Sequence, residues 1–144
     1  SALSGGQIGW DWFSVALDDG TDVMFYHIRQ ADGSIDPYSK GAISLADGTS
    51  ERLSYADGDY IITIEETWRS PHTGALYPAR WTVEIPGYGL DLLITPVIPD
   101  QELLLSFQYW EGAVDISGER EGTPLTGTGY VELTGYAQSL QGQF

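Results

Sequence analysis

In "GWDWFSVALDDGTDVMFYHIR", Asp11 stands between Trp10 and Trp12, and His27 and Arg29 follow one turn later. A carboxyl group held against an apolar wall has a raised pKa and can act as a general acid near neutrality. Aromatic faces can stabilise a developing cation through their quadrupoles. Protonating an isolated trisubstituted alkene needs both, with water then held on the other face by a base. Glu132 in "YVELTGY" and Glu111 in "YWEG" are the other carboxylates set among rings. Asp11 and Glu132 are therefore the candidate catalytic groups. Trp10, Trp12, Phe25, His27, Arg29 and Trp81 are the candidate ligand-binding residues.

Each of these has a structural alternative. Asp11 at a strand start can accept hydrogen bonds from backbone or from an indole N–H. Glu132 alternates with Val131 and Leu133, so it can point to solvent while they point inward. Glu111 precedes Gly112 and reads as a turn or bulge residue. Trp68, Trp81 and Trp110 have the bulk that cores bury. His72, in "SPHTG", sits in a turn sequence and reads as an exposed loop residue.

Other chemistries lack their residues. Cysteine is absent, so neither disulfides nor thiolate sites are available. A zinc site would need both histidines, His27 and His72, plus a carboxylate, a grouping with no support in their spacing. No G-x-S-x-G elbow, phosphate-binding loop or dinucleotide fingerprint occurs. The sequence predicts no metal and no cofactor.

The elements that must carry these residues are strands. Asp-Gly pairs at Asp19-Gly20, Asp32-Gly33, Asp47-Gly48 and Asp57-Gly58 punctuate the first half. Asp-Gly favours hairpin turns because the glycine takes positive φ without penalty. None of the four loops has the D-x-D-x-D-G pattern of a calcium site. Strand-like runs lie at Gly9–Leu17, Asp22–Arg29, Lys40–Leu45, Tyr60–Trp68, Ala79–Ile85, Leu90–Ile94, Leu103–Trp110, Ala113–Gly118 and Gly129–Tyr136. No window of helical length shows a 3.6-residue period. The expectation is an all-β antiparallel fold of about eight to ten strands, a barrel or a sandwich, with the short hairpin spacing favouring a barrel.

Taking Asp19-Gly20 as a two-residue turn pairs Trp12 with His27 and Trp10 with Arg29. One face would then hold Trp10, Trp12, Phe25, His27 and Arg29, and the other Asp11, Phe13, Val15, Met24, Tyr26 and Ile28. A one-residue slip would reshuffle the pairing. The ring-rich face suits a ligand cavity, an interface with another domain, or plain packing, and all three remain open. A row of exposed rings on one strand face would instead mark a carbohydrate-binding surface.

Composition sets the outer bounds. A chain of 144 residues with 42% hydrophobic and 19% charged residues suits one folded domain. The expected division is a polar lead-in or linker remnant at 1–8, the barrel domain at 9–138 and a tail at 139–144. A net charge of −15 repels phosphate backbones and anionic membrane faces, which argues against nucleic acid as a partner. No run approaches the ~20 apolar residues of a spanning helix, and no basic-then-apolar leader is visible, so a soluble protein is expected.

"GWDWFSVALDDGTDVMFYHIR", "TWRSPHTGALYPARWTVEIP", "YWEGAVDISG" and "GYVELTGYA" come in order from Gly9 to about Gln138. Together they resemble the C-terminal domain of the lipocalin-like carotenoid 1,2-hydratase (hydroxyneurosporene synthase) family. The resemblance implies two lipocalin-like β-barrels and a long apolar ligand of isoprenoid, carotenoid or polyketide type. Family members include hydratases that add water to a terminal alkene, and fungal cyclases and Diels–Alderases. His27 departs from the family pattern, where many relatives carry glutamine, and His72 fills a slot that is often basic. The implied partners are an apolar small molecule and a second lipocalin-like domain, missing from this chain. A lone barrel of this kind is expected to bind or scaffold its ligand, or to serve as a non-catalytic half that docks its companion. An uncovered docking patch would also promote a homodimer.

Overall fold

The computed structural model describes residues 5–138; the tail expected at 139–144 and the first four residues of the lead-in lie outside them. Ten strands follow one another: β1 (Gln7–Leu17), β2 (Asp22–Gln30), β3 (Lys40–Ser44), β4 (Ser50–Ser54), β5 (Ile61–Arg69), β6 (Leu76–Ile85), β7 (Leu90–Pro96), β8 (Glu102–Leu104), β9 (Gln108–Arg120) and β10 (Thr123–Leu133). A 3-10 turn at Pro86–Tyr88 links β6 to β7. All the pairings are antiparallel, in the order β4-β3-β2-β1-β10-β9-β7-β6-β5, with β8 paired to β9. The sheet curls into a lipocalin-like all-β half-barrel whose two edges, β4 and β5, are not paired to each other.

Three of the four Asp-Gly pairs build the same hairpin loop, one residue longer than the two-residue turn. At the first, Leu17 N–H donates to Thr21 O at 2.8 Å and Gly20 N–H to Leu17 O at 3.1 Å. Gly20 has φ 88°, the left-handed position that closes a three-residue loop. Asp19 Oδ1 accepts the Thr21 N–H at 3.0 Å, so the aspartate caps the turn it helps to form. Equivalent bonds join Asp32 to Ser34 and Asp47 to Thr49 at 2.9 Å each. Gly58, by contrast, turns the chain from β4 toward β5, across the sheet, and makes no hairpin.

The extra loop residue corrects the expected register by one. Trp12 lies opposite Tyr26, Asp11 opposite His27 and Trp10 opposite Ile28. The concave face of the first hairpin therefore carries Asp11, Phe13, Val15, Val23, Phe25 and His27, while Trp10, Trp12, Met24, Tyr26 and Ile28 share the convex face. The strand expected at Gly129–Tyr136 is β10, which starts at Thr123 and ends at Leu133, so Tyr136 lies outside it. β1 begins two residues before Gly9, and β4 had no counterpart in the expected strands. The expected strand Leu103–Trp110 is two: Gln108–Trp110 turns back to start β9, which runs on through Gly118.

Alternation then fills the concave side. Phe13 stacks on Phe25 with ring centroids 4.9 Å apart and meets Trp81 edge-on at 5.4 Å. Tyr60 covers Phe25 at 5.5 Å, and all four rings are buried. Burying side chains of this size is worth roughly 1.5–3 kcal/mol each, so this cluster anchors the curl. Val131, Leu133, Trp110, Ile94 and Val83 extend it along β10, β9, β7 and β6.

Candidate functional site

The first candidate site closes one end of the barrel. Asp11, 5% exposed, points inward from β1. Arg29 Nη1 donates to Asp11 Oδ1 at 2.6 Å, and the Tyr136 hydroxyl lies 2.9 Å from each carboxylate oxygen. The guanidinium carbon lies 3.9 Å from the centre of the Tyr136 ring, a cation–π contact. Its other arm donates to the backbone carbonyl of Thr134. Burial pushes the Asp11 carboxyl above the usual carboxylate range, against the opposing pull of Arg29 and of the Tyr136 and Arg29 hydrogen bonds. Burial and the nearby Asp11 charge raise the Tyr136 phenol, so it keeps its proton and remains a donor.

Sequence patterning on either side makes this close approach possible. The segment after β10 lies against β1, with Thr134 N–H donating to Trp10 O at 2.9 Å and Trp10 N–H to Thr134 Oγ1 at 3.0 Å. A Cβ at Gly9 would come 2.3 Å from Thr134 O and 2.8 Å from the Arg29 guanidinium. One at Gly135, where φ is 81°, would come 2.3 Å from Ile8 O. Only glycine lets the two backbones and the guanidinium lie this close. The result is a clasp: a buried ion pair joined to a phenol, tying β1, β2 and the end of β10 together.

Asp11 takes its hydrogen bonds from a guanidinium and a phenol, not from an indole. The Trp10 indole N–H goes to Glu132 Oε1 at 2.6 Å, on the convex face, where Glu132 is also the register partner of Trp12. The two carboxylates proposed for catalysis thus point to opposite sides of the sheet.

The candidate ligand residues divide in the same way. Trp10 and Trp12 are half-buried on the convex face, together with half-buried Met24, Tyr26 and Ile28 and with Tyr130 at 44% exposure. Phe25 and Trp81 are fully buried in ring-on-ring packing. Arg29 is spent on Asp11 and Thr134. His27 alone borders an open concavity. That concavity, about 570 Å³, lies at the β4–β5 opening and is also lined by Ile35, Tyr55, Tyr60, Ile62 and Ile64. The His27 ring stands edge-on to Tyr55 at 5.0 Å and 6.0 Å from Tyr60. Burial, reinforced by the Arg29 charge, lowers its pKa to about 4, so the ring is neutral at physiological pH. Its Nε2 is buried without a hydrogen-bond partner among the described residues.

Three polar positions were not legible as a site. Tyr136 and Thr134 lie beyond the last strand and gain meaning only once that segment packs on β1. Glu102 of β8 collects hydroxyl donors from Ser70, Thr73 and Tyr77, the last at 2.6 Å, and ties the β5–β6 loop to β8. The only sequence signal for it was a carboxylate two residues after the "IPD" turn. His72 is an exposed loop residue, 2.8 Å from Asp100 Oδ2. Among the described residues there is no group of three or more potential metal ligands and no helix long and apolar enough to cross a membrane.

The comparisons with known proteins bear on this arrangement as a whole. No curated protein matches the chain. Among solved structures, an AttH protein of Nitrosomonas europaea is 36% identical, with a TM-score of 0.80, over 94% of this chain and 41% of that one. Kievitone hydratase of Nectria haematococca is 21% identical, with a TM-score of 0.72, over 92% of this chain and 40% of that one, which shows a shared fold. The chain thus spans about two fifths of the length of each. The family model described as AttH-like matches residues 1–136, and the chain belongs to the AttH-like family.

Proposed function

We propose that this domain is one barrel of a two-barrel, hydratase-type lipocalin-like protein, and that it supplies contact surface for an elongated apolar ligand. The observation that carries this reading is the β4–β5 opening. Ile64 faces inward, opposite the fully buried Trp81, yet is 49% exposed because no strand pairs with the free side of β5. An apolar concave surface left wet at a sheet edge suits an apolar guest. The centre of the concave side is filled by rings, so the domain offers a lined slot and not a sealed chamber. Support also comes from the sequence blocks that resemble the carotenoid 1,2-hydratase C-terminal domain, and from the fold shared with kievitone hydratase. Within this reading the ligand is of isoprenoid, carotenoid or polyketide type. Asp11 works as the clasp of the barrel end, since Arg29 and Tyr136 occupy its oxygens.

The test is a ¹H–¹⁵N shift titration with the ten-carbon isoprenoid hydrocarbon myrcene. Saturable shifts grouped at Tyr55–Ile64 are expected. Absence of any saturable change up to the solubility limit would overturn the reading.

A second reading rests on the convex face. Trp10, Trp12, Met24, Tyr26, Ile28 and Tyr130 form a ring-rich patch of the kind found at the centre of interfaces. This face docks the companion barrel, or a second copy of this chain where no companion is present.

A further inference from the structure

We infer that Asp57-Gly58, in the loop between β4 and β5, is a site of covalent main-chain modification: the Gly58 nitrogen closes on the Asp57 carboxyl, and the ring reopens to leave isoaspartate. The inference is independent of the ligand proposed for the slot.

Aspartate followed by glycine is open to this reaction because no Cβ shields the attacking nitrogen. The chemistry is a dehydration and then a hydration. The Gly58 nitrogen bonds to Asp57 Cγ, and one carboxyl oxygen leaves as water, carrying the carboxyl proton and the amide proton. Water then adds to either carbonyl of the five-membered imide. Opening at Cγ restores aspartate. Opening at the main-chain carbonyl leaves the chain running through Cβ, with a free α-carboxylate. Water is the only co-reactant.

The chain has four Asp-Gly pairs, and the fold sets one apart. In each, the glycine N–H donates to the carbonyl three residues back: 3.1 Å at Gly20, 3.0 Å at Gly33, 2.9 Å at Gly48 and 3.0 Å at Gly58. That bond must open in every case, so it does not choose among them. The carboxyls do. Asp19 accepts the Thr21 N–H on one oxygen and the Arg120 guanidinium on the other, at 3.0 and 2.9 Å. Asp32 and Asp47 each accept both the hydroxyl and the backbone N–H of the residue two positions on, Ser34 and Thr49. Such bonds pin the carboxyl and favour its ionised form, from which water cannot leave. Those from Ser34 and Thr49 hold Asp32 and Asp47 below the usual carboxylate range.

Asp57 has none of this. Its carboxyl makes no hydrogen bond or ion pair among the described residues, and both it and Gly58 are exposed. The base of the loop is held, with Ser54 N–H donating to Asp59 Oδ2 at 2.7 Å, so the carboxyl at the tip is left free to turn. Ala56 and Gly58 line the concavity at the β4–β5 opening, and the added main-chain atom would enter its rim.

The test incubates the whole chain at neutral pH. Isoaspartate is then tagged by methyl transfer from S-adenosylmethionine with an isoaspartyl methyltransferase, and the tag is placed by peptide mass spectrometry. Asp57 should carry more of it than Asp19, Asp32 and Asp47 together. Asp57→Glu, which would have to close a six-membered ring, should lose that tag and leave the other three sites unchanged. Asp57→Asn, whose amide is neutral, should be tagged faster at the same position. Equal tagging of the four pairs, or a lead for any of the other three, overturns the inference. So does a folded protein without tag over a period in which the urea-unfolded chain acquires it. The wild-type pattern decides the matter even where a variant fails to fold.

Discussion

The Tyr136 hydroxyl lies within 2.9 Å of both carboxylate oxygens of Asp11, joining residues 125 positions apart. The same carboxylate holds Arg29 from the neighbouring strand, so a single acidic residue ties three segments at one end of the barrel. Removing one partner of such a cluster leaves the others buried and underpaired. Tyr136→Phe is expected to lower the unfolding free energy by about 1.5–3 kcal/mol, the range for hydrogen bonds to charged groups. Asp11→Ala, which strands the Arg29 guanidinium, should lose roughly 3–5 kcal/mol. Urea unfolding midpoints measure both, and a Tyr136→Phe midpoint equal to wild type would show that the phenol contributes nothing to the clasp.

Two glycines test the close approach behind that clasp. At Gly9 an added Cβ meets backbone at 2.3 Å, whereas at Gly48 it meets nothing within 4 Å and only the φ of 91° opposes it. Gly9→Ala should therefore destabilise by roughly 2–3 kcal/mol through overpacking, and Gly48→Ala by about 1–2 kcal/mol through backbone strain alone. Thermal unfolding of the two variants orders them. The reverse order would mean that β1 and the Thr134 segment can separate without loss.

The pH dependence of stability carries the signature of His27. Its pKa in the folded protein, about 4, lies below the ordinary 6.5, so between these values the unfolded chain binds a proton that the folded one refuses. Stability must then fall as pH drops from 6.5 toward 4, by up to roughly 3 kcal/mol. Asp11 acts in the opposite sense: its raised pKa gives a contribution present at low pH and lost as pH rises through the folded value. The His27 part is read as the difference between wild type and His27→Phe across pH 4–6.5. Parallel curves would show that the ring titrates normally in the fold.

Trp12 and Phe13 are neighbours on β1 with opposite orientations. Phe13 is fully buried, and Phe13→Ala should cost about 3–5 kcal/mol. Trp12→Ser removes a half-buried convex ring and should cost less than about half as much. If the convex face docks another barrel, the same substitution should also weaken concentration-dependent self-association in sedimentation velocity. A wild-type monomer at the highest attainable concentration would count against docking between two copies through that face.

The period-two alternation of β1, β2, β6 and β7 and the Asp-Gly turns determine an antiparallel, all-β chain from the sequence alone, because both are local properties of backbone and side chain. That Asp11 would be taken up by hydrogen bonds was one of the alternatives legible there too, although its donors are a guanidinium and a phenol and not backbone or indole. The register was not. The Asp19-Gly20 pair is compatible with a loop of two or three residues, and that one extra residue decides which rings face inward. It moved Trp10 and Trp12 to the convex side and left His27 at the slot. Nor could local sequence show that Tyr136 would reach Asp11, or that β4 and β5 would remain edges. Those outcomes are set by contacts between distant segments, which only the curl of the whole sheet brings within hydrogen-bonding distance.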